Sequence, residues 1–180
     1  MEHTPYDFAI VGAGAAGLQL ALKMINDVYF LDKRIVIIEK DAKDKNDRTW
    51  CYWERGIGRW DDLLTSKWTQ AQFANSKQIY DLDMGSYTYK MLRALDFYNH
   101  AKKILQNANN VTWITASVNE INLGLPCVID IGTEKISAKH IFDSRVDKGF
   151  HNHKDQYTRL WQHFKGWIIE TEEAVFDPRK

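Results

Sequence analysis

Two short apolar runs near the start of the chain stand on either side of an amphipathic stretch. Residues 8–11 and the centre of 34–39 are continuously apolar, which is typical of parallel strands covered on both faces. The stretch between them, about 15–27, carries apolar residues at helical spacing. The pattern therefore predicts a strand, a helix and a second parallel strand, which form the βαβ unit of an α/β fold.

The rest of the chain combines a second helical pattern with short strand patterns. Apolar residues at helical spacing predict a helix at about 90–107. Apolar runs and alternations predict strands at 67–74, 78–82, 111–114, 117–121, 139–143 and 162–171, and a hairpin formed by 127–131 and 134–137. Polar residues predict loops at 41–47 and 147–156. This order is that of an α/β domain with a small β insertion.

A glycine-rich motif joins the first strand to the first helix. Gly12 allows the tight turn out of the strand, Gly14 lets the backbone approach a pyrophosphate, and Gly17 lets the helix pack against the strand. The N-terminal N–H groups and the positive dipole end of the helix would face the phosphates. The predicted phosphate-binding residues are Gly12, Ala13, Gly14, Ala15, Ala16 and Gly17.

An acidic residue ends the second strand at the spacing expected for a ribose contact. Glu39 lies 22 residues after Gly17, close to the roughly 20 residues at which an acid bonds a ribose hydroxyl in dinucleotide-binding folds. Its carboxylate accepts from the 2′-OH and would repel a 2′-phosphate, which favours FAD or NAD over NADP. The alternative, a glycine-rich turn with no ligand, is disfavoured because strand, glycines, helix and acid occur together.

Composition narrows the class of protein. The 24 basic and 24 acidic residues balance, so the chain lacks the positive charge of a nucleic-acid-binding protein. No apolar stretch is long enough to span a bilayer, and no secretory signal is expected. Cys51 and Cys127 stand in unrelated contexts, which favours free thiols in the cytoplasm over a disulfide. The 7 Trp, 8 Tyr and 8 Phe residues are mostly core candidates, although they also suit a large apolar substrate.

A second motif, Asp-Arg-Thr-Trp-Cys-Tyr-Trp-Glu, occupies residues 47–54. Arg48 lies nine residues after Glu39 and is predicted to reach the ribose or phosphate side of the dinucleotide, since an arginine fork suits a phosphate. A surface arginine in a polar loop is the alternative that the spacing leaves open. Trp50 and Trp53 are candidates for a pocket wall or for core packing.

The two motifs together resemble the N-terminal half of the bacterial lycopene cyclases of the β-cyclase type. The resemblance is carried by 7–17, 39–41 and 46–54, and by three further segments at 87–97, 140–145 and 160–167. It covers almost the whole chain, and the Asp-Arg-Thr-Trp and Gln-His-Phe-Lys-Gly-Trp segments are much more specific than the glycines. The order of elements also resembles the nucleotide-binding part of the FAD-dependent oxidoreductases and hydroxylases.

The resemblance implies an α/β fold, namely an FAD/NAD(P)-binding Rossmann-like domain of the three-layer glutathione-reductase or hydroxylase type. We expect this domain to occupy residues 1–150 with a β insertion near 55–85, and 151–180 to begin a substrate-binding region. The family's late Gly-Asp motif and its Glu-rich catalytic segment have no counterpart in the sequence. We therefore expect a truncated, incomplete fold, and we expect residues 1–180 alone to cyclise nothing.

The activity implied by the resemblance is the closure of the ends of lycopene into β-rings, a step of carotenoid biosynthesis. The family uses reduced FAD without net redox chemistry, and NAD(P)H is the implied reductant. Because lycopene dissolves in membranes, the intact enzyme is expected to be a cytoplasmic, peripheral protein that contacts lipid at the inner face of the membrane. The oligomeric state is left open.

The resemblance also implies FAD contacts beyond the glycine loop. The further predicted cofactor-binding residues are Glu39, Lys40, Arg48, Thr49, Val118, Asp143, Ser144 and Arg145. Val118 occupies the strand position whose backbone commonly meets adenine in this fold, and its side chain belongs to the core on either interpretation. Asp143 stands at a strand end, where it either contacts the flavin or caps a turn.

The sequence does not identify the catalytic residues, and Glu170 is the one candidate for an acid. It belongs to an acidic cluster that either faces a substrate cavity or, as its composition favours, ends a strand in a solvated loop. No metal site is predicted, because His151 and His153 have no cysteine or acid at ligand spacing.

Two other functions fit the same scaffold. One is a redox enzyme such as a flavin monooxygenase or a geranylgeranyl reductase, for which substrate-dependent consumption of NADPH would argue. The other is an inactive nucleotide-binding or interaction fragment, for which a failure to take up FAD would argue.

Overall fold

The computed structural model describes residues 4–146, 149, 169–177 and 179. The chain divides into two compact units. The first comprises Met1–Thr49 and Arg93–Arg145, and the second comprises Trp50–Leu92 and Val146–Lys180. The predicted β insertion near 55–85 lies within the second unit.

The described residues contain eleven strands and two α-helices. In chain order the strands are β1 (Tyr6–Val11), β2 (Ile35–Glu39), β3 (Thr49–Arg55), β4 (Ser66–Trp68), β5 (Ala71–Ala74), β6 (Ile79–Leu82), β7 (Tyr87–Arg93), β8 (Val111–Thr115), β9 (Glu120–Asn122), β10 (Cys127–Asp130) and β11 (Lys135–Asp143). The helices are α1 (Ala15–Met24) and α2 (Ala94–Leu105), and short 3-10 helices occupy Val28–Phe30 and Asp61–Leu63.

The first unit is built on a six-stranded sheet with the order β8-β2-β1-β11-β10-β9. β8, β2, β1 and β11 pair in parallel, while β10 and β9 continue the sheet in antiparallel pairing. The predicted βαβ unit is confirmed, with Ala9 of β1 opposite Val36 of β2. All residues of β2 are buried, as expected of an apolar strand inside a parallel sheet.

A continuous apolar core packs within the first unit, and its buried residues come from β1, β2, β10 and β11 and from Ile131. The buried members of this core are Ala9, Val11, Val36, Ile38, Ile129, Ile131, Ile136 and Ala138. α1 buries Leu18 and Leu22 and contacts both β1 and α2. These contacts fix the ends of the strands, around which the candidate site is built.

α1 ends at Met24, before the expected end near residue 27, because polar side chains stabilise the turn that follows. The Asn26 amide donates to the Leu22 carbonyl at 2.7 Å, and the Asp27 carboxylate accepts from the Tyr29 N–H at 2.9 Å. Asp27 thereby caps the following 3-10 helix instead of continuing α1.

β11 is longer than the sequence predicts. The strands predicted at 134–137 and 139–143 form one strand, Lys135–Asp143. Its N-terminal half pairs with β10, which confirms the predicted hairpin, and its C-terminal half pairs with β1. Ala138 belongs to both registers, so no break separates the two halves.

The helix predicted at 90–107 begins four residues later in the structure, at Ala94. Residues up to Arg93 belong to β7, and α2 begins at Ala94. Lys90 and Leu92 are buried while Met91 is half-buried and pairs with Ser66 of β4, which is the alternation of a strand. So short a window fits both a helical and a strand period, and the helical interpretation was wrong for its first turn.

The second unit contains the three-stranded sheet β3-β7-β4 and the hairpin β5-β6. β3 is absent from the predicted strands, although exposed and half-buried residues alternate along its whole length. The strand predicted at 67–74 is wrong as a single element, because Thr69 and Gln70 separate β4 from β5. In the first unit, the strand predicted at 117–121 begins later, at Glu120.

Several predicted features fall outside the described residues. These are His151 and His153, the segment at 160–167, most of the loop at 147–156 and most of the strand at 162–171. The described part of that last strand, from Ile169 to Thr171, is not in a strand. The domain boundary near residue 150 stays a prediction.

Candidate dinucleotide-binding site

The carboxyl ends of the parallel strands meet at one edge of the first unit's sheet. The Gly12 N–H donates to the Ile38 carbonyl at 2.8 Å, and the Ser144 N–H donates to the Val11 carbonyl at 2.9 Å. The segments that follow β1, β2 and β11 therefore leave the sheet side by side. In open α/β sheets this edge is where ligands bind.

Two glycines of the motif are required by the packing of this edge. Gly12 has a φ of +96°, and a Cβ there would lie 2.3 Å from Oγ of Ser144. A Cβ on Gly17 would lie 2.0 Å from the Gly12 carbonyl oxygen and 3.1 Å from the Ile10 side chain. Glycine therefore allows the turn after β1 and the close approach of α1 to it.

Gly14 differs from these two because the space in front of it is open. Apart from its two chain neighbours, a Cβ built on Gly14 meets no atom of the described residues within 4 Å. Gly14 is also the N-cap of α1, where no side chain caps the helix and no acidic residue occupies its first turn. The first N–H groups of a helix, here those of Ala15, Ala16 and Gly17, have no intrahelical partner and favour an anion. This open cradle fits the pyrophosphate of a dinucleotide.

Glu39 lies beside the same cradle and is only 6% exposed. Its Oε2 accepts from the Ala13 N–H at 2.6 Å, and its Oε1 accepts from the Asp41 N–H at 3.0 Å. A carboxylate offers about four acceptor positions, so these two hydrogen bonds leave capacity for a ribose hydroxyl. The residues present thus fit both the pyrophosphate and the ribose of a dinucleotide.

The segment from Asp143 to Arg145 lies at the same edge and is held by internal hydrogen bonds. The Ser144 hydroxyl donates to the Val11 carbonyl at 2.9 Å. Arg145 donates to both carboxylate oxygens of Asp143 at 2.9 Å, and its Nη1 donates to the Val118 carbonyl at 2.8 Å. Burial alone would raise the pKa of Asp143, but these arginine contacts lower it below its usual range. The structure therefore joins Val118 to this edge through Arg145.

Arg48 and Thr49 lie where the loop after β2 passes into β3, and both are exposed. The Arg48 guanidinium donates to the Asp47 carbonyl at 2.8 Å, and the Arg48 carbonyl accepts from the Ala94 N–H at the start of α2. Lys40 is also exposed. Their predicted contacts with a cofactor stay predictions, as does the role of the exposed Glu170.

A cluster that sequence reasoning missed lies between Glu39 and α2. The Lys43 ammonium is 3.8 Å from Glu39 Oε2 and 3.6 Å from Asp47 Oδ2, and its side chain is 10% exposed. The Tyr98 hydroxyl donates to Asp47 Oδ1 at 3.0 Å. Burial and the Asp47 contact raise the pKa of Tyr98. Lys43 stands four residues from each acid, and this spacing was the available signal.

The second unit holds a different buried charge, Lys90, which is 1% exposed. Its ammonium donates to Asp61 at 2.5 Å, to Glu54 at 2.9 Å and to the Gly56 carbonyl at 2.9 Å. These three acceptors use all the donors of a lysine. The buried Tyr52 hydroxyl has no partner among the described residues, and burial raises its pKa.

The described residues contain no group of three or more His, Cys, Asp or Glu side chains that could hold a metal ion. No helix among them has the length and apolar composition needed to cross a membrane.

Comparison with known proteins assigns the chain to a family. The sequence profile described as "Lycopene cyclase protein" matches residues 7–180. The chain belongs to the lycopene cyclase family. The resemblance stated from the two motifs is thereby confirmed, while no curated protein sequence matches the chain.

Solved structures similar to this lycopene cyclase family member show its fold. The halogenase PltM, in complex with phloroglucinol and FAD, has a TM-score of 0.55 and 11% identity, over 78% of this chain and 34% of that chain. GidA from Aquifex aeolicus has a TM-score of 0.52 and 12% identity, over 77% of this chain and 24% of that chain. The predicted α/β, Rossmann-like fold of the FAD-binding type is confirmed. The chain spans about a third of the length of the first solved structures that it matches.

Proposed function

We propose that the chain binds FAD at the carboxyl edge of its parallel sheet and serves the flavin-dependent cyclisation of lycopene. The observation that carries the proposal is the open cradle at Gly14, which lies between the uncapped N-terminus of α1 and the Glu39 carboxylate. The N–H groups of α1 would bind the pyrophosphate, and Glu39 would accept from the ribose.

The choice of FAD rests on two different supports. The acceptor at Glu39 favours an unmodified ribose, since a 2′-phosphate would meet a carboxylate that is already buried. This argument does not separate FAD from NAD. Membership of the lycopene cyclase family supports FAD. NAD(P)H as the source of electrons for the flavin is part of the proposal.

The proposed reaction closes the linear ends of lycopene into β-rings. Substrate and product are isomers, so protonation of a terminal alkene is balanced by loss of a proton from the new ring. Reduced FAD, when bound, would supply negative charge next to the developing carbocation in a dry site. The residues of this chain would bind and orient the dinucleotide. Contact with membrane lipid, where lycopene resides, belongs to the same proposal.

The test measures cofactor and substrate separately on the purified chain. Desalted protein is titrated with FAD, and the change in flavin absorbance and fluorescence gives the stoichiometry. The protein with dithionite-reduced FAD is then incubated without oxygen with lycopene in vesicles, and the carotenoids are separated by chromatography. We expect one FAD per chain, and the carotenoid products measure whether these residues cyclise lycopene.

Each outcome decides between functions. Binding of FAD supports the cofactor site, and formation of β-carotene would additionally assign the cyclisation to these 180 residues. Lycopene-dependent oxidation of NADPH would favour a redox enzyme on the same fold. A chain that takes up no FAD would contradict the proposal and favour an inactive fragment.

A further inference from the structure

Lys43 is placed between the predicted ribose contact and the second sequence motif. Its ammonium lies 3.8 Å from Glu39 Oε2 on one side and 3.6 Å from Asp47 Oδ2 on the other. The backbone of Lys43 has a φ of +52°, in the left-handed region that non-glycine residues seldom adopt. This conformation turns the loop so that a lysine four residues after Glu39 points back toward it.

The Glu39 carboxylate needs a partner on this side. Its hydrogen bonds with the Ala13 and Asp41 N–H groups fix one direction at each oxygen. Acidic and basic residues alternate in the loop that follows, and among the described residues Lys43 is the cation that forms an ion pair with Glu39. Because Lys43 and Glu39 are both largely buried, solvent and salt screen their attraction less than that of a surface pair.

The other end of this arrangement is fastened to α2. Asp47 accepts from the Tyr98 hydroxyl, and Asn46 accepts from the Leu95 N–H at 3.3 Å. Lys102 donates to the carbonyls of Ala42 and Lys43. The loop from β2 to β3 is therefore held along α2 at several points, and the Lys43 side chain, besides the Asp41 N–H, connects it to Glu39.

We propose that Lys43 is a positioning residue of the dinucleotide site, which holds the Glu39 carboxylate in the direction of the ribose and ties it through Asp47 and Tyr98 to α2. The proposal rests on the proposed binding of FAD. It adds that the 47–54 motif supports the ribose contact through Asp47, whether or not Arg48 reaches a phosphate.

The first experiment compares two probes that differ in one hydroxyl. ADP represents the adenosine diphosphate half of FAD, and 2′-deoxy-ADP lacks the hydroxyl that Glu39 would accept. We expect Lys43→Met to weaken ADP about tenfold, equivalent to about 1.4 kcal/mol, and to leave 2′-deoxy-ADP unchanged. Lys43→Arg should restore most of the loss. Lys45→Met, which removes an exposed lysine from the same loop, is the matched control and should change neither affinity.

The second experiment needs no ligand. Hydrogen exchange of the Ala13 and Asp41 amides reports whether the Glu39 carboxylate is held in place. We expect about tenfold faster exchange in Lys43→Met and no change in Lys45→Met. Unchanged exchange, or an equal loss of affinity for both nucleotides, would overturn the role of Lys43. If the wild type binds no FAD or ADP while exchange responds as expected, the proposed function fails and Lys43 is left with a structural role alone.

Discussion

Within the described part of each unit one charged side chain is buried, and the two are satisfied in different ways. Among the described residues, Glu39 and Lys90 are the buried polar or charged side chains. Lys90 has three donors and three acceptors, so its hydrogen bonding is complete within the second unit. The Glu39 carboxylate accepts hydrogen bonds from two N–H groups, although it offers about four acceptor positions.

The difference separates a charge with a structural role from a charge that is a candidate for binding a ligand. Burial alone does not distinguish the roles of Glu39 and Lys90, because both are buried. The acceptor capacity left on Glu39, next to the open space at Gly14, is what makes this a candidate ligand site. The filled coordination of Lys90 marks a group that holds β3, β7 and the Asp61–Leu63 turn together.

The largest expected effect comes from a substitution that disturbs the loop next to Glu39, which carries the Ala13 N–H donor. In Gly17→Ala, the new Cβ would lie 2.0 Å from the Gly12 carbonyl oxygen, so the loop must shift. We expect a loss of about 3 kcal/mol or more in the free energy of unfolding, because overpacking against backbone is poorly relieved. Chemical denaturation measures it. A stability within the error of the wild type would contradict the packing described.

The next effect breaks the Lys90 side. Lys90→Met leaves Asp61 and Glu54 without their cation, and we expect destabilisation of about 2–3 kcal/mol, below the usual range for a broken buried pair because both carboxylates keep access to water. Thermal unfolding provides the value. Binding of FAD should be unchanged, and a loss of affinity in the folded variant would refute a purely structural role.

A smaller effect sharpens the comparison by separating binding from stability. Gly14→Ala adds a Cβ where the chain leaves room, at backbone angles that suit alanine. We expect stability within about 0.5 kcal/mol of the wild type. The affinity for FAD should fall at least about tenfold, because the methyl group occupies the cradle of the pyrophosphate. Denaturation and calorimetry on the same preparation test both halves, and unchanged affinity would remove Gly14 from the site.

The smallest effect concerns pH. The hydrogen bond from Lys90 lowers the pKa of Asp61, and the pKa of Lys90 is raised because its contacts with Asp61 and Glu54 outweigh burial. Because the pKa of Asp61 is lower in the folded than in the unfolded protein, its ionised carboxylate stabilises the fold at pH values above the unfolded-state pKa. This stabilisation is lost as the pH falls through the folded-state pKa. The stabilisation from the raised pKa of Lys90 is fully present below about pH 10.5, and it is lost as the pH rises through the higher folded-state pKa. The melting temperature should therefore decrease as the pH is lowered below about 4. Lys90→Met should lack this part of the acid dependence, and an identical slope in both proteins would argue against the ion pairs.

Local signals in the sequence were enough to predict the nucleotide-binding part of the fold. Continuous apolar runs predicted β1 and β2, and the glycines predicted a turn whose packing requires Gly12 and Gly17. These features depend on residues close together in the chain. Glu39, the predicted ribose contact, is identified for the same reason, at a fixed distance from the motif.

The features that were missed depend on distant partners. Lys90 is buried in β7 because Asp61 and Glu54 reach it from 29 and 36 residues away, and nothing near Lys90 signals this. The apolar spacing around Lys90 therefore predicts a helix where the structure has β7. β3 alternates visibly, but its unusual chemistry favoured a cofactor role over a strand. Apolar patterns predict separate strands at 134–137 and 139–143, whereas the structure has the single strand β11, whose halves pair with different neighbours.

The most direct test of the central claim is the titration of FAD into the wild type, Glu39→Gln and Glu54→Gln by isothermal calorimetry. Glu39→Gln keeps the size of the side chain but replaces one carboxylate oxygen with a donor, while Glu54→Gln makes the same change in the Lys90 cluster. We predict one FAD bound per wild-type chain, about tenfold weaker binding in Glu39→Gln and wild-type affinity in Glu54→Gln. Equal affinity in all three proteins, or no binding to the wild type, would contradict a dinucleotide site at this edge of the sheet.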